Sequence, residues 1–160
     1  VLNAQIHLCG PDGSRNMPLS EFFELDGIKR NVLKQGEIIT HLTISEDANN
    51  WKGDYQKLSL RDSWDFPEAG VAAAWRYSAQ SPDDGLDLRI ATTALESIPR
   101  LHDNITNDAL INKSTIDEIA IKLRLDVKPV NNTTFPPNYR KKMVEVLCKK
   151  ALDGLKGELT

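Results

Sequence analysis

Tyr55-Gln-Lys-Leu-Ser-Leu-Arg-Asp-Ser-Trp-Asp-Phe-Pro-Glu-Ala-Gly-Val-Ala-Ala-Ala74 decides how the chain is read. Tyr55 to Leu60 alternates as a half-buried strand does and carries Lys57. It enters a loop holding Arg61, Asp62, Trp64, Asp65 and Phe66. Gly70 then opens a small, β-prone run to Ser78, with Trp75 and Tyr77 on one face. A further run, Leu86 to Thr93, alternates Leu86, Leu88 and Ile90 with Asp87, Arg89 and Ala91. Ser81-Pro-Asp-Asp-Gly85 is the turn between the last two. Runs so spaced predict an antiparallel meander.

Upstream, Ala4-Gln-Ile-His-Leu-Cys9 reads as a strand, and Gly10-Pro-Asp-Gly13 as a turn with Gly13 where positive φ is needed. Arg15 to Leu19 returns to make a hairpin, and Ser20 is placed to cap a short helix through Phe23. After Gly36, Glu37 to Ile44 predicts a third strand, with Ile38, Thr40, Leu42 and Ile44 on one face and Ile39 on the other. Residues 45–54 form a polar connection.

Downstream the pattern turns helical. Thr115 and Glu118 have capping-box spacing, and Ile116, Ile119, Ala120, Leu123 and Val127 make one apolar stripe, stopped by Pro129. Phe135-Pro-Pro137 leads into a last helix, ended by Gly154 and Gly157. Its stripe is Tyr139, Met143, Leu147, Ala151 and Leu155, flanked by Val144, Cys148 and Leu152; Arg140, Lys141, Lys142, Lys149 and Lys150 are read as lying largely off it.

The chain has 160 residues, which predicts one domain or one plus a piece of another. Apolar residues are 40% and charged residues 27%, and no apolar run approaches a bilayer span, so a membrane role is not expected. A net charge of -3 argues against nonspecific nucleic-acid binding. The start, Val1-Leu-Asn-Ala4, has no signal-peptide pattern, and cytoplasmic localisation is expected. Cys9 and Cys148 stand far apart, without metal spacing, and read as free thiols in a reducing cytosol. Asn-X-Ser/Thr sequons at Asn104, Asn112, Asn131 and Asn132 would matter only in a secreted chain. His7, His41 and His102 form no ligand pair and read as hydrogen-bonded structural histidines. No nucleophile elbow, Walker loop or dinucleotide fingerprint occurs, which sets a hydrolase aside. The basic set on the last helix reads as a solvated face balanced by acids.

Two uses fit the Arg61–Phe66 loop. Its aromatics can pack on a flavin ring while Lys57 bonds a flavin oxygen or phosphate. Alternatively it is a salt-bridged connector whose Trp64 and Phe66 plug the sheet–helix core, and composition alone favours that.

Lys57-Leu-Ser-Leu-Arg61-Asp-Ser-Trp64-Asp65-Phe66-Pro-Glu-Ala-Gly70-Val71-Ala72 resembles the signature in the FAD-binding subunit of molybdenum hydroxylases. That family includes the medium subunit of carbon monoxide dehydrogenase and the flavin part of xanthine dehydrogenase. Leu2 to Arg15, Leu19-Ser-Glu-Phe-Phe23 and Gly36-Glu-Ile-Ile39 are similar to the end of its FAD-binding domain. Tyr139-Arg-Lys-Lys-Met143 with Ala151-Leu152 looks like its closing helix. Leu95-Glu-Ser97 departs from a glycine-rich turn carried by many relatives.

The resemblance implies an α+β fold. Residues 1–50 would be the last strands of an FAD-binding domain. Residues 54–155 would be the family's C-terminal domain, an antiparallel three-stranded sheet packed with helices. It implies an oxidoreductase subunit that passes electrons between [2Fe–2S] clusters and an external acceptor through FAD. The iron–sulfur subunit and the molybdopterin subunit of the same complex would be its partners. The family's glycine-rich pyrophosphate loops have no counterpart here, so the chain reads as a C-terminal fragment that alone is inactive and does not retain FAD. By position, Ile39 packs against the flavin region, Lys57 lies near the flavin, Asp65 and Phe66 sit in the loop facing the isoalloxazine, and Arg61 supports that loop. None of these is a catalytic acid, base, nucleophile or metal ligand. The competing expectation is a non-redox module that only docks partner subunits.

Overall fold

The computed structural model describes residues 1–26, 28–61, 64–77, 85–111 and 114–155, with the side chains of 110 and 111 excepted. It contains two compact units, Leu2–Asn50 and a second beginning at Trp51. Antiparallel sheets and helices together make the α+β class expected from the sequence. No helix among the described residues is long and apolar enough to cross a membrane.

In the first unit, β1 (Gln5–Gly10), β2 (Gly13–Pro18) and β3 (Ile38–Thr43) form an antiparallel sheet of order β2-β1-β3. Gly13 has φ 112°, the left-handed conformation that the hairpin turn requires. Ile6, Leu8 and Phe22 are buried and make a small core with Met17, Leu19 and Phe23. Instead of a helix capped by Ser20, the chain makes a short 3-10 turn at Leu19–Glu21, and Phe23 then bridges to Asn31.

The pairing of β1 with β3 shifts between His7 and Leu8. Leu8 pairs with Ile39 and Ile6 with Leu42. Residues directly paired across an antiparallel ladder share a face, so Ile39 and Leu42 lie on the face of Leu8 and Ile6. Strict alternation had placed them on opposite faces. The bulge adds one residue, Thr40, whose hydroxyl donates to the His7 carbonyl at 3.1 Å.

The second unit opens with a meander: β4 (Lys52–Leu58), β5 (Ala69–Tyr77) and β6 (Leu86–Thr93). A two-residue strand, β7 (Arg100–Leu101), extends it to the order β4-β5-β6-β7. The turn expected at Ser81–Gly85 lies largely outside the described residues, as do the Asn112 sequon, Asp62 and Gly157.

Among the described residues three α-helices follow: α1 (Asp103–Ile111), α2 (Ile116–Asp126) and α3 (Pro137–Ala151). The sequence reading picked out the second and third and did not separate the first. Thr115 closes the capping box, accepting from the Glu118 amide while the Glu118 carboxylate accepts from Thr115. α3 packs across β4 and β5, α1 packs against β6, and α2 packs against α3. Val71, Ala73 and Trp75 of β5 meet Leu123, Val144, Leu147 and Cys148 in one core.

The face of α3 departs from the expected stripe. Tyr139 is exposed, and the buried residues are Arg140, Val144, Leu147, Cys148 and Ala151. The stripe is turned by one position at its start, and Arg140, expected off it, is wholly buried.

Candidate functional site

The antiparallel register sets Lys57 of β4 opposite Gly70 of β5, and Tyr55 opposite Ala72. These pairs lie on the face opposite to Val71 and Ala73, which point into the core. A Cβ at Gly70 would sit 2.6 Å from the Tyr55 hydroxyl and 2.7 Å from Thr93 Cγ2. Only a glycine therefore lets β5 pass under Tyr55 at this point. Tyr55 remains about half exposed, and burial of the rest pushes its hydroxyl above the usual tyrosine range.

Between Leu58 and Glu68 the chain makes a loop closed at its base. The Glu68 amide donates to the Leu58 carbonyl at 2.7 Å. Asp65 organises the interior of the loop. Its Oδ2 accepts from the Arg61 amide at 3.2 Å, and its Oδ1 from the Phe66 amide at 2.9 Å. The Arg61 guanidinium pairs with the same carboxylate at 3.1 Å. Asp65 is 8% exposed at its side chain against 70% for Arg61, so the loop folds over the carboxylate. The Arg61 bond, then the amides, hold Asp65 below the usual carboxylate range. Lys57 Nζ donates to the Asp65 carbonyl at 2.8 Å and stays exposed.

With the polar groups turned inward, the aromatics are turned out. Trp64 is 94% exposed and Phe66 85% exposed. Neither plugs the sheet–helix core, and the connector reading is corrected on that point. Asp65 and the backbone amides satisfy each other inside the loop, which leaves the rings no place there.

Of the residues predicted from sequence, Lys57, Arg61, Asp65 and Phe66 are brought together by this one loop. Ile39 lies in the other unit, on β3, about half exposed. Trp64 was weighed with Phe66 as an aromatic of this loop, but by position only Phe66 was set against the flavin; Tyr55 was not selected from sequence. Tyr55 could have been, since it falls two residues before Lys57 and so on the same face.

Other chemistry-bearing groups are committed to structure. His102 donates from Nδ1 to Asp126 at 2.8 Å and accepts at Nε2 from Thr92 at 2.9 Å. Arg100 also donates to Asp126, at 2.6 Å. The order Asp126, His102, Thr92 copies a nucleophile relay. Yet Thr92 and His102 are 2% and 1% exposed, so the hydroxyl meets no substrate. Burial pulls His102 below the usual histidine range, partly opposed by the bond to Asp126. His7 and His41 stack with centroids 4.1 Å apart. No cluster of three metal-ligating side chains occurs among the described residues. On the last helix, Lys149 bridges Asp117 at 2.9 Å and Glu145 at 3.2 Å, as a solvated face balanced by acids would, whereas Arg140 of the same basic set is buried. Cys9 and Cys148 are free thiols.

No family model matches the chain. Solved structures do. A chain of the reconstituted CO dehydrogenase from Oligotropha carboxidovorans superposes with a TM-score of 0.77 at 20% identity, over 95% of this chain and 52% of that one. Carbon monoxide dehydrogenase from Hydrogenophaga pseudoflava, in a form lacking the Mo-pyranopterin moiety of its cofactor, gives 0.77 at 23% identity, over 95% and 52%. Quinoline 2-oxidoreductase from Pseudomonas putida 86 gives 0.78 at 18% identity, over 99% and 54%. The chain thus spans about half the length of each. It has the fold of that half of a CO dehydrogenase or quinoline 2-oxidoreductase chain, and carbon monoxide dehydrogenase is a member of the family its sequence resembles.

Proposed function

We propose that the chain is the C-terminal half of an FAD-containing electron-transfer subunit of a molybdenum hydroxylase. Residues 1–50 close its FAD-binding domain, and residues 54–155 form its C-terminal domain. The observation that carries this reading is the pair of exposed aromatics, Trp64 and Phe66, on a loop stiffened from within by Asp65. Exposed rings on a held loop suit a flat, apolar ligand, because they need no rearrangement to receive it.

The donor set fits the isoalloxazine end of FAD. Phe66 would cover a ring face. Lys57, exposed and tied to the loop by one bond, has two further N–H groups for a flavin oxygen. Arg61 and Asp65 hold the loop without touching the ring. Ile39, in the other unit, is carried toward the flavin by the sequence resemblance alone. When bound, FAD supplies the redox chemistry, carrying electrons between the [2Fe–2S] clusters of a partner subunit and an external acceptor. The protein's part is orientation and exclusion of water. The molybdopterin partner would oxidise the substrate, so the residues here set no substrate specificity.

Purification of the full-length subunit tests the proposal. The expected product is yellow, with stoichiometric FAD and a visible spectrum that shifts in Phe66→Ala. Lys57→Ala should retain less FAD. A colourless product, or a flavin whose spectrum and content ignore both substitutions, would overturn it and leave the loop as a dock for partner subunits.

A further inference from the structure

Arg140 has no exposed surface, and its hydrogen bonds among the described residues go to backbone carbonyls rather than to side chains. Its Nε donates to the Glu68 carbonyl at 2.7 Å, its Nη1 to the Val130 carbonyl at 2.7 Å, and its Nη2 to the Ala94 carbonyl. The three acceptors come from three separate segments. Glu68 ends the aromatic loop and immediately precedes β5. Ala94 follows β6 with φ 62°, a left-handed conformation that turns its carbonyl off the ladder. Val130 lies between α2 and α3, and its own amide donates to the Leu95 carbonyl at 2.9 Å. Arg140 stands in the first turn of α3, behind Pro136 and Pro137.

Burying a guanidinium is costly unless its fork is filled. An apolar side chain of equal volume would fill the space and strand three carbonyls. The geometry therefore makes sense as a clasp. The Glu68 amide is fixed to Leu58, and the Glu68 carbonyl is fixed to Arg140. Both sides of the residue that ends the loop are pinned. With that residue pinned, the direction in which the loop leaves the sheet is set.

We infer that Arg140 is a positioning residue: it fixes the exit of the loop of residues 59–67 and so the direction in which Trp64 and Phe66 are presented. The clasp rests on the flavin reading only for what the loop presents, not for its own existence.

Amide hydrogen exchange of the flavin-free full-length subunit tests it, with the Glu68 amide as probe and the Leu123 amide of α2 as reference for global opening. Arg140→Lys keeps the charge and offers a shorter, unforked donor set. The expected result is exchange at Glu68 faster by about tenfold or more, with Leu123 unchanged. Arg140→Met removes all donors and should give a larger effect; if it does not fold, Arg140→Lys carries the test. Exchange at Glu68 that rises only in step with Leu123, or not at all, overturns the inference whatever the flavin does. Exchange that rises at Glu68 alone, together with a shifted flavin spectrum in the loaded subunit, supports the clasp and the flavin reading. The same rise with an unmoved flavin spectrum supports the clasp and counts against the flavin.

Discussion

Phe66→Ala separates folding from ligand binding, because the residue is 85% exposed. A phenylalanine side chain presents about 200 Å². Only about 30 Å² of it is then covered by the fold, worth about 0.8 kcal/mol at about 25 cal/mol per Å². The substitution should therefore cost less than about 1 kcal/mol of stability. If a ring system covers half of the remaining area, about 85 Å² is buried on binding, worth about 2 kcal/mol. That corresponds to an FAD affinity weaker by about 30-fold. Two measurements on the full-length subunit decide it: the urea midpoint of the apo form and the FAD dissociation constant. Affinity within about threefold of wild type would refute the stacking argument. A stability loss above about 2 kcal/mol would show that Phe66 packs inside the fold after all.

Further expectations follow from burial and charge. Leu123→Ala, at a fully buried position, should cost about 2–5 kcal/mol, whereas Leu125→Ala, 68% exposed on the same helix, should stay within about 0.5 kcal/mol in the same denaturant titration. His102 is held neutral by burial, so its folded pKa lies below its unfolded one. The neutral tie contributes fully above the unfolded value, about 6.5, and is lost as pH falls through the folded value. The urea midpoint should thus drop as pH falls below about 6.5, and His102→Gln should flatten that slope. Cys148 is wholly buried and its thiol is pushed up to about 12, so in a thiol-reagent titration at pH 8 it should react only on unfolding, while the partly exposed Cys9 reacts in the folded protein.

The meander was legible because its strands keep a strict period of two and each has one core face. Leu86–Thr93 keeps the expected bounds for that reason. β3 was legible as a strand but not as a surface. A bulge at Thr40 reverses which residues share a face, and nothing in Ile38-Ile39-Thr40-His41-Leu42 marks a bulge, since no glycine or proline is needed there. Helix α2 announced itself through Thr115 and Glu118, whose spacing has one local meaning. α1 has no such cap, and its Asp- and Asn-rich sequence also suits a loop.

The site divides along a similar line. That Lys57, Arg61, Asp65 and Phe66 sit together was legible, because a short loop brings together residues close in sequence. Which of them face solvent was not, since exposure depends on where Asp65 sends its carboxylate. An aspartate beside an arginine and two aromatics can turn either way. It turns inward here because amides at Arg61 and Phe66 stand ready to bond it, and the rings are displaced outward as a result. Arg140 was misread for a related reason. A charged residue on a helix is assigned to solvent unless its partners are visible, and its partners are backbone carbonyls of residues 68, 94 and 130. Carbonyls leave no trace in side-chain chemistry. The groups that shape this loop are therefore mostly main-chain groups, and only the fold brings them within reach of Asp65 and Arg140.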